Sequence, residues 1–129
     1  MDTAALPKIL CVEDDADSCE VLQLVLRMHQ FEGKCASSGA QALQLVQSES
    51  FDMYLLDGWL PDFDGFELCR RLRALQPGKP ILFYSGGAHE SDAAKGIAAG
   101  ANAYVVKPDF AGLIEAISNF ASTPLGPAC

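Results

Sequence analysis

The sequence predicts a doubly wound α/β domain, a parallel sheet of five strands with a helix after each. Five short apolar runs recur along the chain, at residues 8–12, 31–36, 53–56, 80–85 and 103–106. Most are continuously apolar, which is the pattern of strands buried on both faces of a parallel sheet. Segments with helical spacing lie between them, and right-handed crossovers force each helix back across one face or the other.

Lys8-Ile9-Leu10-Cys11-Val12 is the first buried strand, and it stops at Glu13-Asp14-Asp15. From Ala16 to Met28 the residues Val21, Leu22, Val25, Leu26 and Met28 fall on overlapping helical faces. Asp14 and Asp15 stand where carboxylates cap free amides and meet the positive end of the helix dipole. Residues 31–36 form a weaker strand. Ser37-Ser38, with Gln41 three residues after Ser38, resembles a capping box opening a helix through Ser48 whose apolar face is Ala42, Leu43 and Val46.

The run Met53 to Leu56 delivers Asp57 at its carboxyl end, where loops and helix amino termini converge in open parallel sheets. Asp64-Gly65-Phe66-Glu67 then caps a third helix with Leu68, Leu72 and Leu75 on one face, ended by Pro77-Gly78. Residues 80–85 are a strand ending in Ser85, followed by Gly86-Gly87. The helix at 91–99 is the weakest: it is mostly alanine, contains Gly96 and has Ile97 as its single large apolar residue, so its local stability should be low. Gly100 supplies its stop. Ala103-Tyr104-Val105-Val106 is the fifth strand, ending at Lys107-Pro108, and Leu113, Ile114, Ile117 and Phe120 define the last helix. The expected organisation is a lead-in at 1–7, one domain at 8–121 and a frayed tail at 122–129.

Of the 129 residues 50% are apolar and 20% charged, a globular composition sufficient for one core. Seventeen acidic residues against nine basic ones leave a formal charge of −8. That excess argues against nucleic-acid binding by this chain alone and favours a cation or a basic partner surface. The five cysteines, Cys11, Cys19, Cys35, Cys69 and Cys129, include no CxxC pair and read as small buried hydrophobes in a reducing compartment, with only Cys129 exposed. With no charged leader before an apolar core and no run of membrane-spanning length, a cytoplasmic protein without membrane contact is expected. His29 reads as a partly buried packing residue and His89 as a loop residue, neither with a second metal ligand at sensible spacing. Arg70, Arg71 and Arg73 read as a solvated helix face aided by Glu67.

In a flavodoxin-like sheet, with strand order 2-1-3-4-5, the polar strand ends meet at one edge. They are Glu13 and Asp14 after the first strand, Asp57 after the third, Ser85 after the fourth and Lys107 after the fifth. Three carboxylates together repel unless a cation joins them, and oxygen ligands without histidine or thiol suit magnesium. A lysine and a hydroxyl beside them suit an anion. Together these groups fit phosphoryl transfer, where a protein contributes positioning and charge neutralisation.

Across nearly the whole chain, from Lys8 to about Ala121, the sequence resembles a response-regulator receiver domain. The resemblance rests on Ile9-Leu10-Cys11-Val12-Glu13-Asp14-Asp15, on Asp57 followed by Pro61-Asp62 and Asp64-Gly65, on Ser85-Gly86, and on Gly100-Ala101-Asn102-Ala103-Tyr104-Val105-Val106-Lys107-Pro108. Each is weak alone, and the set in this order is specific. The resemblance implies that Asp57 takes a phosphoryl group from a phosphohistidine on a sensor histidine kinase or histidine phosphotransfer protein, becoming an acyl phosphate. It implies a Mg2+ ion held by Glu13, Asp14, Asp57 and the backbone carbonyl of Trp59, with Lys107 and Ser85 on the phosphoryl oxygens. It further implies a switch in which Ser85 and Tyr104 alter the face of the fourth helix, fifth strand and fifth helix, where a downstream target protein docks. Loss of the phosphoryl group to water would pass between Trp59 and Gly87, and a cis Lys107-Pro108 bond would aim the lysine. The chain would then be a phosphoacceptor regulator with self-directed phosphotransfer and autophosphatase chemistry rather than an enzyme acting on other molecules. It would be a single-domain regulator or a receiver cut from a longer protein, without an output domain in this chain.

Three residues depart from the family pattern. Gln30 stands where many relatives leave the first helix on glycine, Gly58 follows the acceptor where an apolar side chain is commoner, and Trp59 is large for its place. One alternative is a vestigial module of the same fold working through protein contacts alone, which the complete acidic, hydroxyl and lysine set opposes. An enzyme or cofactor carrier on a similar fold is the other. A haloacid-dehalogenase-like phosphatase would want aspartate at Trp59, and a flavodoxin a hydroxyl- and glycine-rich loop at Glu13-Asp14-Asp15.

Overall fold

The computed structural model describes residues 6–62, 64–86 and 90–121. Gly87, His89, residues 1–5 of the lead-in and the tail at 122–129 lie outside these residues. Five parallel strands, β1 Lys8–Val12, β2 Glu32–Ala36, β3 Met53–Leu56, β4 Ile81–Ser85 and β5 Ala103–Val106, form one sheet in the order β2-β1-β3-β4-β5. The helices between and after them are α1 Ala16–Met28, α2 Gly39–Ser48, α3 Gly65–Leu75, α4 Glu90–Ala99 and α5 Phe110–Ala121. This is the doubly wound topology expected from the sequence.

Strand side chains alternate between two cores. Leu10, Val12, Tyr54, Leu56 and Phe83 pack with Ala42, Val46, Phe66, Leu68, Leu72 and Ala99 of α2, α3 and α4. Ile9, Cys11, Met53, Leu55, Leu82 and Tyr84 pack with Leu22, Leu26, Leu113 and Ile117 of α1 and α5. Every residue of β3 and β4 is buried, so both strands are held from above and below.

The helix starts follow their capping chemistry. The carboxylate of Asp15 accepts from the Ser18 amide at 3.0 Å and the Ser18 hydroxyl at 2.7 Å, which holds the Asp15 pKa below the usual carboxylate range. Asp15 therefore caps α1 and leaves Asp14 free. Ser38 accepts from the Gln41 amide at 3.1 Å, while Gln41 returns an acceptor to the amide of Ser37, at 2.7 Å, one residue earlier than a capping box requires. Asp64 accepts from the Phe66 amide at 2.9 Å to open α3.

The structure corrects several expectations. Val21, Met28 and Leu75 project outward, 44%, 67% and 51% exposed, because their helical stripes are wider than the strip of sheet they cover. His29 is exposed rather than packed. In α4 the inward positions are Gly96 and Ala99, and Ile97 is exposed, because Phe83 and Tyr104 leave no room. A Cβ at Gly96 would lie 3.0 Å from ring carbons of both. Arg70 and Arg71 do pair with Glu67, but Arg73 turns the other way into backbone carbonyls. Cys19 and Cys35 are joined by a disulfide, with Cα atoms 6.2 Å apart, because the first turn of α1 passes beside β2. Cys11 and Cys69 are buried free thiols, pushed up to about 12 and about 11 by desolvation.

The end of α1 accounts for the departure at Gln30. The Phe31 amide donates to the Leu26 carbonyl at 2.9 Å and the Gln30 amide to the Arg27 carbonyl at 3.1 Å, the paired bonds of a Schellman turn. Gln30 sits at its left-handed position, with φ of 70°. A side chain there costs about 1 kcal/mol that glycine avoids. Gln30→Gly is expected to raise the urea midpoint, with a gain in unfolding free energy of up to about 1 kcal/mol less what the greater freedom of glycine in the unfolded chain takes back. A lowered midpoint would show that the strain is already relieved locally.

Candidate functional site

The five polar residues at the carboxyl edge are each placed by the last rung of a strand ladder or by the loop just beyond it. The Glu13 amide donates to Ala36, the Asp57 amide to Val12 and the Lys107 amide to Ser85, at 2.9, 3.1 and 2.8 Å. Glu13, 4% exposed, and Asp57, 8% exposed, are buried carboxylates, whereas Asp14 faces solvent. One oxygen from each of the three lies within 4.8 Å of the others.

Lys107 crosses this cluster from β5. Its Nζ is 2.5 Å from Glu13 Oε1 and 3.5 Å from Asp57 Oδ2, and it lies 5.8 Å from the centroid of the Tyr84 ring. Burial opposes its charge most strongly, but the hydrogen bond to Glu13 and the charge of Asp57 outweigh that and raise its pKa. Three carboxylates against one ammonium still leave the cluster short of positive charge. An all-oxygen donor set, two members buried and one open to water, suits a hard divalent cation that keeps part of its hydration shell.

Ser85 is fully buried. Its hydroxyl donates to Asp57 Oδ1 at 3.2 Å and accepts from the Gly58 amide at 3.3 Å. Burial raises the Tyr104 pKa and the Ser85 side chain works against that rise, and the Tyr104 ring lies against that of Phe83 with centroids 5.6 Å apart. The two residues of the expected switch thus lie on neighbouring strands, β4 and β5. The Lys107-Pro108 bond is cis.

Gly58 and Gly65 are explained by crowding. A Cβ at Gly58 would stand 3.1 Å from Ser85 Oγ, and one at Gly65 would stand 2.7 Å from the Cα of Gly58. The first turn of α3 packs directly on the loop after Asp57, held by the Gly65 amide on the Gly58 carbonyl at 3.2 Å. The amide of Trp59 donates to Asp57 Oδ1 at 3.2 Å, while its indole is 68% exposed. Gly87, the other residue expected beside the water's path, lies outside the described residues.

Two supporting residues were not assigned a role from sequence. Asp62 accepts from the amides of Gly39 and Ala40 at 2.9 and 3.0 Å, pinning the loop after Asp57 to the start of α2. Its position in the Pro61-Asp62 motif was visible, but its partners come from a distant helix. Arg73 donates to the carbonyls of Gly100, Gln76, Pro77 and Lys79 and to Asn102 Oδ1, at distances between 2.7 and 3.3 Å. It joins the turn after α3 to the end of α4.

Comparison with known proteins agrees with this geometry. Residues 9–118 match the family model of the response regulator receiver domain. The DNA-binding response regulator MtrA of Mycobacterium tuberculosis is 39% identical over 108 residues, covering 84% of this chain and 46% of that protein. A CheY-like response regulator receiver domain protein from Methanospirillum hungatei superposes with a TM-score of 0.82 at 30% identity, over 88% of this chain and 92% of that one. The BeF3-activated DrrB receiver domain superposes with a TM-score of 0.83 at 27% identity, over 91% and 98%. This chain belongs to the response-regulator receiver domain family, the receivers of two-component response regulators.

The chain spans about half the length of MtrA. Because MtrA is named as a DNA-binding regulator, the expectation of no nucleic-acid contact gains no support from this relative. Among the described residues no helix is long and apolar enough to cross a membrane.

The packing at Gly65 carries its own test. Gly65→Ala should cost about 1–3 kcal/mol through overpacking against backbone, seen in a thermal melt, and should displace the loop after Asp57. An unchanged melt would mean that α3 slides away freely.

Proposed function

We propose that Asp57 is the phosphoacceptor of a phosphorelay, taking its phosphoryl group from a phosphohistidine on a sensor histidine kinase or histidine phosphotransfer protein. The observation that carries this is the grouping of Glu13, Asp14 and Asp57 within 4.8 Å, with the Lys107 ammonium and Ser85 hydroxyl beside Asp57. In the transfer, a carboxylate oxygen of Asp57 forms a bond to phosphorus. The phosphorus–nitrogen bond breaks, and its electron pair returns to the imidazole. Lys107 is positioned to turn from Glu13 toward the new phosphoryl oxygens, and Ser85 to donate to one of them.

Glu13, Asp14, Asp57 and the Trp59 carbonyl are the groups that would hold Mg2+. The ion would supply charge neutralisation for the phosphoryl oxygens. Attack of water on phosphorus, with Asp57 leaving as the carboxylate, would return the chain to its starting state, so the chemistry is self-directed and the chain is a regulator rather than an enzyme for other substrates. Trp59 and Gly87 flank that path in this reading, and in it the indole slows water.

The effect of Ser85 on Tyr104, and the contact of Tyr104 with α4 at Gly96, support signalling through the α4-β5-α5 face to a downstream protein. α4 suits that task because among its described side chains only Gly96 and Ala99 are buried. A cytoplasmic setting fits such a relay. The formal charge of −8 supports assigning any DNA contact of a regulator like MtrA to residues other than these.

Intact-mass measurement after incubation with acetyl phosphate tests the reading. The parent should gain one phosphoryl group in magnesium, and neither Asp57→Asn nor a chelated sample should gain it. Gain by Asp57→Asn, or none by the folded parent under slow-turnover conditions, would remove Asp57 from the role. In the same assay Trp59→Ala should lose its phosphoryl group at least about twofold faster, a barrier difference of only a few tenths of a kcal/mol. Equal rates would remove the indole from the path.

A further inference from the structure

The Cys19–Cys35 disulfide closes a ring of residues 19–35, and the acidic loop lies just outside it, ahead of α1. Cys19 lies in the first turn of α1, and Cys35 is the next-to-last residue of β2, in register with Cys11 of β1. Glu13 and Asp14 lie between the end of β1 and the start of α1. The Glu13 amide is held by the carbonyl of Ala36, one residue past Cys35, and the Glu13 carbonyl lies 3.6 Å from Cys19 Sγ. The cross-link therefore ties together the supports on both sides of two of the three proposed metal ligands.

We propose that Cys19 and Cys35 are a reversible redox site that sets the affinity of the acidic cluster for magnesium, an inference that rests on the magnesium site proposed above. Cys35 is partly exposed and Cys19 is nearly buried, so a small oxidant reaches Cys35 first. With a peroxide, the Cys35 sulfur attacks one peroxide oxygen. A sulfur–oxygen bond forms, the oxygen–oxygen bond breaks, and one water leaves. The Cys19 sulfur then attacks the resulting sulfenic acid, forming the disulfide and releasing the second water. The peroxide receives two electrons and both thiol protons. A dithiol reverses the reaction by exchange and is itself oxidised to a disulfide.

Oxidation leaves Cys19 without a proton and fixes the first turn of α1 to β2. Reduction frees that turn and gives Cys19 a thiol proton to share with the Glu13 carbonyl. The oxidised chain holds its ligands pre-organised, so it binds magnesium more tightly. Cys11 and Cys69 do not compete, being buried thiols whose pKa values desolvation pushes up to about 12 and about 11.

The test uses the whole chain in a Cys129→Ser background, treated with hydrogen peroxide or with dithiothreitol. Peptide mapping should place the disulfide at Cys19 and Cys35 in the oxidised sample. Magnesium titration is then followed by the fluorescence of Trp59, the single tryptophan of the chain. The oxidised form should bind at least about threefold more tightly, a difference of well under the 1.4 kcal/mol that makes tenfold. Cys35→Ser and Cys35→Ala, both checked for folding, should match the reduced form under either treatment. Absence of the Cys19–Cys35 bond after oxidation, or equal affinities in the two forms, would overturn the proposal while leaving the magnesium site standing. Failure of both forms to bind magnesium would overturn the magnesium site and this coupling with it.

Discussion

Two buried carboxylates share one ammonium, and the placement of the strands answers to that constraint. Glu13 and Asp57 would be strongly disfavoured as neighbours in a dry site, and Lys107 stands between them at 2.5 and 3.5 Å. The three come from β1, β3 and β5, so the compensation exists only when the sheet has its full order and the strands end level. In each case the amide of the functional residue completes the ladder of a neighbouring strand, and that hydrogen bond sets where the side chain begins. The fold and the electrostatics of the site are in this sense one requirement.

Around Asp57, close packing replaces charge as the organising force. Gly65 lets α3 rest on the loop at Gly58, Gly58 leaves space for the Ser85 hydroxyl, and Gly96 lets α4 rest on the rings of Phe83 and Tyr104. These contacts form a continuous path from Asp57 through Ser85 and Tyr104 to α4. Interiors packed this closely pass small displacements to their neighbours instead of absorbing them. Asp62 fixes the opposite side of the same loop to α2, so Asp57 is anchored on one side and connected to a lightly held helix on the other.

Most of this was legible in the sequence because it is encoded locally. A continuously apolar run that ends in aspartate specifies both a central strand and what stands at its end, and the caps at Ser38 and Asp64 announce their helices within four residues. What was not legible depends on tertiary partners. Arg73 belongs by spacing with Arg70 and Arg71, and only the turn at Gln76 to Lys79 and the chain at Gly100 show why it points elsewhere. Cys19 and Cys35 are 16 residues apart with no motif between them, and they meet because β2 pairs with β1 beneath α1. Leu75 continues a helical stripe past the edge of what the helix covers. Periodicity gives the direction of a face, not the extent of its cover.

The guanidinium of Arg73 has a mechanical meaning beyond hydrogen-bond satisfaction. It clamps the Gly100 carbonyl and the Asn102 amide, and Asn102 in turn holds the amide of Ile81 at the start of β4. The carboxyl end of α4 is thereby fixed to the base of the sheet. A rigid rod fixed at one end moves as a lever, with the fulcrum at Gly100 and the largest excursion at the far end, toward Glu90. A small push at Gly96, near the fulcrum, would be enlarged there.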